Sequence, residues 1–378
     1  MKEIELIATT TFGLEAVTKR EIQDLGFNDI KVENGKVTFK ATLKDIPRVN
    51  LWLRTAERVL LKVGEFKALT FDELFEKTKS LNWEDYIPED GNFIIEGKSV
   101  NSKLFSISDS QRIVEKAIVE KLKLNYDTNW FNKDGSRYTV EVALLKDIAT
   151  LTIDTSGQGL HKRGYRTSQG EAPIKETLAA AMVLLSYWNK DRFLLDPFCG
   201  SGTIPIEAAM IGRNIAPGLD REFDSEYWDI IDKSWWKEAR QKAFLEMDND
   251  TKLNILASDI NRRNIKIAKE NAMNLGLEED ITFICKDMRD IDLRDNYGVV
   301  ITNPPYGERI GEVEEVKQLY IDYGEKFRKL DTWSVYTITS DENFEKLYGK
   351  KADRKRKLYN GRIKVDYYQH YGPRPPMN

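Results

Sequence analysis

Three aspartates and one asparagine close apolar runs in the second half of the chain, and together they could surround one ligand. Asp196 follows FLL and opens the turn Asp196-Pro197-Phe198-Cys199-Gly200-Ser201-Gly202-Thr203. Asp259 closes NILASD, Asp287 closes ITFICKD, and Asn303 closes GVVIT just before Pro304-Pro305-Tyr306. Glycines let backbone approach a ligand closely, and open α/β sheets bind ligands at the carboxyl ends of their strands. A phosphate loop would place a lysine after the glycines, and a dinucleotide loop would add a third glycine. This turn has neither. An acid at the mouth of such a turn suits a cationic amine. S-adenosylmethionine fits, having an amino-acid amine, a ribose and an adenine but no phosphate. Asp196 then meets the amine in a turn that includes Gly200, Gly202 and Thr203. Asp259 suits the ribose hydroxyls, and Asp287 the adenine amine. One strand-end aspartate is ordinary turn chemistry; three on successive strands beside Gly-Ser-Gly point to a nucleoside cofactor.

Asn303-Pro304-Pro305-Tyr306 is a different device. Prolines cannot continue a sheet ladder, and the residue before a proline is held extended. Asn303 and the Pro304 carbonyl become two fixed oxygen acceptors, with the Tyr306 ring beside them. That set suits an amine on a planar ring or amide, whose delocalised lone pair makes it a poor nucleophile. Gripping its two N–H groups turns the lone pair toward a sulfonium methyl, so positioning and electrostatics carry catalysis without a general base. Carbon-5 pyrimidine methylation would need a nucleophilic cysteine. Cys199 lies in the cofactor turn and Cys285 in a strand, so both read as packing residues. Two cysteines outside any CxxC pair and two histidines, His161 and His370, make no zinc site, and no metal is expected.

The elements that must position these residues follow from pattern. Residues 172–378 alternate helices and short strands, as in a doubly wound α/β sheet, and end in an antiparallel pair turning at Asn360-Gly361. One helix is expected through IKETLAAAMVLLSYW. Residues 1–65 read β-α-β-β-α-β with a hairpin at Asn34-Gly35, a ferredoxin-like order. Residues 66–155 form a second small α+β unit, with helices near 70–81 and 109–124 and strands at 92–98, 137–145 and 148–154. Residues 156–171 (SGQGLHKRGYRTSQGE) have the composition of a linker. An acidic, Trp-rich insert at 213–252 interrupts the alternation and suggests no role.

The 378 residues are 41% hydrophobic and 32% charged, which predicts a globular chain of two or three domains. The N-terminus lacks an export signal and no window is apolar enough to span a membrane, so a cytoplasmic location is expected, with no membrane partner and a monomeric state.

DPFCGSGT followed by SDIN and ITNPPYGER resembles class I S-adenosylmethionine-dependent amino-methyltransferases. GLHKRGYRTSQGEAPIKETLAAA and KSVNSKLFSISDSQRIVEKAIVEKL narrow the resemblance to THUMP-domain RNA guanine-N2 methyltransferases, including the bacterial large-subunit 23S rRNA enzymes and related tRNA enzymes. The resemblance covers nearly the whole chain. It implies a Rossmann-like class I methyltransferase domain at 172–378, after a ferredoxin-like domain (1–65), a THUMP RNA-binding domain (66–155) and a linker (156–171). It implies cofactor contacts at Asp196, Gly200, Gly202, Asp259 and Asp287, and target-amine contacts at Asn303, Pro304 and Tyr306. The family's longest members add a second methyltransferase domain; this chain ends at Asn378, which implies one methyl transfer. The partner implied is RNA, rRNA before tRNA. The corner alone is shared with DNA adenine and protein glutamine methyltransferases, and an assembly factor without turnover is a further alternative.

Charge does not announce RNA. Net charge is −4, and residues 1–155 hold 23 Lys and Arg against 26 Asp and Glu. Any phosphate contacts must therefore be local. The candidates are Lys98, Lys103 and Arg112 in the second unit, Lys162, Arg163 and Arg166 in the linker, and Lys355 and Arg356 in KKADRKRK, followed by Arg362 and Lys364.

Overall fold

A computed structural model describes residues 2–128, 130–166, 174–306 and 312–376. The chain divides into two compact units. The first gathers the N-terminus up to Thr10, Glu21–Leu160 and Arg221–Lys242; the second gathers Thr11–Arg20, His161–Asp220 and Ala243–Asn378.

The first unit begins β1 (Ile4–Thr10), α1 (Glu15–Asp24, whose residues up to Arg20 group with the second unit), β2 (Ile30–Glu33), β3 (Lys36–Ala41), α2 (Asp45–Trp52) and β4 (Ala56–Lys67). It continues through α3 (Phe71–Lys79), β5 (Asn92–Val100), α4 (Ile107–Tyr126), β6 (Arg137–Leu145) and β7 (Ile148–Asp154). The predicted β-α-β-β-α-β order is present. The strands of residues 1–65 and 66–155 join in one seven-stranded sheet, β2-β3-β1-β4-β7-β6-β5, because β4 pairs antiparallel with β7. Side-chain caps start both helices: Thr70 accepts from the Glu73 N–H at the start of α3, and Ser106 from the Asp109 N–H at the start of α4, which begins two residues before the expected 109. Between β6 and β7, Lys146 and Asp147 both have positive φ, the geometry of a tight hairpin turn.

Two features depart from expectation. Part of the Trp-rich insert packs in this first unit. Trp228 stacks on Tyr138 with ring centroids 4.9 Å apart and donates its indole N–H to the Arg137 carbonyl, while Phe223 stacks on Trp236 at 5.0 Å. The expected linker is packed where it is described. Ser156 is buried, its hydroxyl bonded to Asn50 Oδ1 at 2.7 Å, and Arg221 donates to the carbonyls of Ser156, Gln158 and Gly159. Its remaining residues, 167–171, lie outside the described residues.

The second unit runs α5 (Glu176–Leu184), β8 (Leu194–Asp196), α6 (Thr203–Gly212), then α7 (Lys233–Leu245, most of which groups with the first unit). It goes on through β9 (Ile255–Asp259), α8 (Arg262–Met273), β10 (Ile281–Cys285), β11 (Val299–Thr302), α9 (Glu312–Phe327), β12 (Ser334–Thr339), α10 (Phe344–Tyr348), β13 (Arg354–Asn360) and β14 (Ile363–His370). Helix α5 stops at Leu184, short of Trp188: Ser186 bonds back to the Val183 carbonyl and Trp188 donates to the Arg192 carbonyl. The sheet order is β10-β9-β8-β11-β12-β14-β13, parallel from β10 to β12 and antiparallel over the last two pairings. Alternate strand residues feed two cores. Leu194, Ile301 and Tyr336 pack with α5, α6 and α8, whereas Leu195, Val300 and Val335 pack with α9 and α10. Strand order reverses at β8, where the next strands lie to one side and β11 to the other, so the crevice for a ligand opens at the ends of β8 and β11.

Candidate active site

Parallel pairing of β8 and β11 sets Val300 against Leu195, which brings Asp196 and Thr302 together at the strand ends. The Thr302 hydroxyl donates to Asp196 Oδ1 at 2.6 Å, and the Phe198 N–H donates to the same oxygen at 3.2 Å. Asp196 is 1% exposed and Thr302 fully buried. Burial pushes the Asp196 carboxyl up to about 7; the bonds from Thr302 and Phe198 oppose that rise and the nearby Asp259 adds to it. A dry carboxylate held by two neutral donors attracts a cation.

The glycine-rich turn follows. Gly200 and Gly202 have φ of +52° and +84°, and a Cβ on Gly202 would stand 3.0 Å from the Ala268 Cβ. Larger residues could take neither the conformation nor, at Gly202, the close approach of α8. Asp259 ties this turn down: its Oδ2 accepts from the Gly200 N–H at 3.0 Å, and its Oδ1 from the Asn261 N–H and the Asn264 amide. Thr203 opens α6 and is buried. Asp287 sits at the next strand end, but its own neighbour holds it. Arg289 donates to both carboxylate oxygens, at 2.9 and 2.7 Å, and this pairing lowers the Asp287 carboxyl below its ordinary range. Cys199 is buried and its thiol pushed well up by burial, so it is no nucleophile.

At the corner, Asn303 and Tyr306 are half-buried and Pro304 is buried. The Tyr306 hydroxyl donates to Asn303 Oδ1 at 2.5 Å. Tyr320 on α9 donates to the Pro305 carbonyl at 2.8 Å and shares a 2.9 Å bond with Thr339 at the end of β12. The corner is thus pinned from two strand ends and a helix, and its amide is aimed by its own tyrosine.

Sequence reasoning missed two residues here. Thr302 reads as one more β-branched strand residue, and only the register reveals its bond to Asp196. Ile260, directly after Asp259, is 71% exposed and places an apolar side chain next to the acid expected to meet ribose. An isoleucine following a strand-end acid was the available signal.

The basic candidates divide. Arg163 is a correction: its side chain is 1% exposed and pairs with Glu207 of α6 at 3.3 Å, so it cannot reach a phosphate. Arg166 is a second correction. It bonds Thr203 Oγ1 at 2.8 Å, the Ile174 carbonyl at 3.3 Å and Glu176 at 3.3 Å, so its charge is spent inside the second unit, bracing the start of α6. Lys162 is exposed. In the first unit Lys98, Lys103 and Arg112 are exposed, with Lys98 paired to Glu141 at 2.8 Å and Arg112 loosely to Asp109 at 3.8 Å. On β13, Lys355 is exposed and pairs with Asp366 at 3.1 Å, while Arg356 is half-buried with its Nε lacking a hydrogen-bond partner. No helix among the described residues is long and apolar enough to cross a membrane.

Residues 163–369 match the RMKL-like methyltransferase domain, 5–60 the RlmL ferredoxin-like domain and 68–154 the THUMP domain. YpsC of Bacillus subtilis (strain 168), named provisionally as an RNA methyltransferase, is 55% identical over all of this chain and 98% of its own length. The ribosomal RNA large subunit methyltransferase K/L of Vibrio cholerae serotype O1 is 35% identical over 95% of this chain, which spans 52% of that longer protein. A Listeria monocytogenes crystal structure named provisionally as an N6-adenine-specific DNA methylase superposes with a TM-score of 0.95 at 55% identity, over 99% of this chain and 97% of its own. SMU.472, named provisionally as a methyltransferase and crystallised with S-adenosylhomocysteine, superposes with a TM-score of 0.94 at 45% identity over the full length of both chains. The buried Asp196, the two left-handed glycines and the exposed Ile260 beside Asp259 fit S-adenosylmethionine. The chain belongs to the RMKL-like methyltransferase family and uses S-adenosylmethionine.

Proposed function

We propose that this protein transfers a methyl group to the exocyclic N2 amine of a guanosine in RNA, with 23S ribosomal RNA as the substrate before tRNA. The observation that carries the reading is the junction at β8 and β11. Asp196 and Asn303 stand on adjacent strand ends, linked through the Thr302 hydroxyl, so a cationic amine and a planar amine can be held on one rim. When bound, the cofactor supplies an electrophilic methyl group. Asn303 Oδ1 and the Pro304 carbonyl accept from the target N–H groups. The carbonyl oxygen has two lone pairs, so the Tyr306 hydroxyl and an incoming amine can share Oδ1. The buried walls, Pro304 and Thr302, exclude water.

RNA is supported by the THUMP match at 68–154 and by the names of YpsC and the K/L enzymes. Guanine over adenine is supported by the resemblance carried in residues 159–181. A target base in structured RNA must be splayed out of its helix to reach this rim. The test is mass spectrometry of nucleosides from rRNA and tRNA of a deletion strain, with complementation by the parent and by Asn303→Ala. Loss of N2-methylguanosine from one RNA, restored only by the parent, is expected. The name carried by the Listeria relative favours a second reading, DNA adenine methylation; loss of N6-methyladenine from DNA in the same strain, with every RNA unchanged, would replace the first.

A further inference from the structure

The basic run near the C-terminus lies on β13 and the β13–β14 turn, and its place in the sheet gives it a use. Residues 350–364 hold eight Lys and Arg against one acid, Asp353, in a chain of net charge −4. Across the ladder, Thr302 aligns with Thr337, Thr337 with Tyr368, and Tyr368 with Lys355. β13 runs parallel to β11, so its carboxyl end rises on the catalytic side. Asn360 and Ile363 close the hairpin beyond the row that contains Thr302. Three strand spacings separate β11 from β13, about 14 Å.

At this raised tip the N-terminal segment of the second unit brings an aromatic ring. Leu14 and Val17 are buried in the same core as Leu358. Gly13, at φ +93°, passes so close to β13 that a Cβ would stand 2.7 Å from the Lys357 carbonyl. This docking leaves Phe12 50% exposed, edge-on to Tyr359 with ring centroids 6.1 Å apart. Lys357 Nζ lies 5.7 Å from the centre of the Tyr359 ring, and Lys364 stands opposite Tyr359 in the ladder. Lys364 pairs with Glu342 and Lys355 with Asp366, but Lys357 and Arg362 have no carboxylate partner among the described residues.

We propose that Phe12 and Tyr359, with Lys357 and Arg362, form a stacking ledge for an unpaired nucleotide of the RNA substrate, a few nucleotides from the one held at Asn303. Single-stranded nucleic acid is gripped by aromatic faces interleaved with cations along its backbone. The proposal rests on the reading of RNA as substrate. The bland alternative is that these charges only guard an edge strand against pairing with another sheet, a role that either sign of charge fills.

The test uses the full chain, fluorescein-labelled 12-nucleotide oligouridine and oligoadenosine, and rRNA plus tRNA from a deletion strain as acceptor of tritiated methyl. Phe12→Ala/Tyr359→Ala is expected to weaken oligonucleotide binding about tenfold or more and to raise the RNA KM in step. S-adenosylhomocysteine affinity and kcat stay at parental values. Phe12→Trp, which keeps a ring, binds as the parent does. Lys357→Gln/Arg362→Gln is expected to reduce the slope of log affinity against log salt by about 1.4, and Lys357→Glu to weaken binding further while the oligomeric state stays that of the parent. Parental binding and KM in the double alanine variant would overturn the ledge and leave the RNA reading standing. Loss of S-adenosylhomocysteine affinity in that variant would make the rings structural and overturn it too. If the parent methylates none of these RNAs, the RNA reading fails and the ledge with it.

Discussion

Asp196 and Asp287 end strands two places apart in one sheet, and their surroundings are opposite. Asp196 is sealed from water, touched only by neutral donors, and its carboxyl is pushed up to about 7. Asp287 is gripped by Arg289 on both oxygens and its carboxyl is pulled down, first by that side-chain bond. Asp259, between them, spends its oxygens on the turn and on α8. Three acids with the same sequence context thus perform three jobs. Only Asp196 is left wanting a positive charge, which is what a cofactor amine supplies. Asp287 already has its cation and can offer an adenine amine only a remaining lone pair. An unneutralised, buried carboxylate therefore stands only at the β8–β11 end of this trio, beside Asn303, while the acid at the β10 end is already paired and partly open to solvent.

The largest effect should come from the β11 side of that comparison. Asn303→Ala removes an acceptor from the target amine while leaving Asp196 and the turn intact. Loss of one preorganised polar contact of this kind costs about 10²- to 10³-fold in kcat. Single-turnover methyl transfer should show that loss, with S-adenosylhomocysteine affinity within about threefold of the parent's. A near-normal rate would break the assignment of chemistry to this end of the sheet.

Asp196→Asn comes next. Hydrogen bonds involving charge contribute about 1.5–3 kcal/mol, so calorimetric affinity for S-adenosylhomocysteine should fall about 10- to 150-fold. The parent should also lose affinity as pH drops through about 7, because protonation removes the charge that draws the amine. The asparagine variant should be flat over that range. In the free protein the sign runs the other way. The folded carboxyl binds its proton more tightly than the unfolded one, so Asp196 alone makes stability fall as pH rises from about 4 to 7.

The fold was legible from pattern because its signals are local. Asn34-Gly35 and Asn360-Gly361 mark their hairpin turns by their own chemistry. The backbone of the Gly200–Gly202 turn and the end of β11 before Asn303-Pro304 were legible too, since glycine and proline shape the backbone wherever they stand. What stayed hidden depends on partners distant in sequence. Arg163 and Arg166 look like free cations beside glycines, and only the fold supplies Glu207 and Glu176. The Trp-rich insert has no meaning until Tyr138 and Phe223 lie under its indoles. Residues 11–20 read as part of the first module, yet Leu14 and Val17 complete the core of the second unit. Removing residues 1–155 would therefore damage the catalytic unit itself, and point variants are the cleaner probe.

Thr302→Val sharpens the comparison by one hydrogen bond. The hydroxyl stabilises the ionised form of Asp196, so its loss should move the midpoint of the pH dependence of S-adenosylhomocysteine binding upward. Thr302→Ser should restore it, which a purely steric role would not predict.

The smallest effect belongs to the other end of the sheet. Arg289→Ala frees Asp287 from its cation. Arg289 is 54% exposed on its side chain, and exposed ion pairs contribute about 0–1 kcal/mol, so stability at neutral pH should change little. The sign is still readable. Asp287 has a folded carboxyl below its ordinary range, so its contribution is present above about pH 4 and disappears as pH falls through the lowered value. The variant should therefore lose stability above pH 4 and converge with the parent in stronger acid, as thermal unfolding at several pH values would reveal. Affinity for S-adenosylhomocysteine should move by less than about fivefold, because a screened surface contact contributes under about 1 kcal/mol. A loss as large as that of Asp196→Asn would mean that the β10 end, with Arg289 holding Asp287 in place, matters as much to the cofactor as the buried carboxylate on β8.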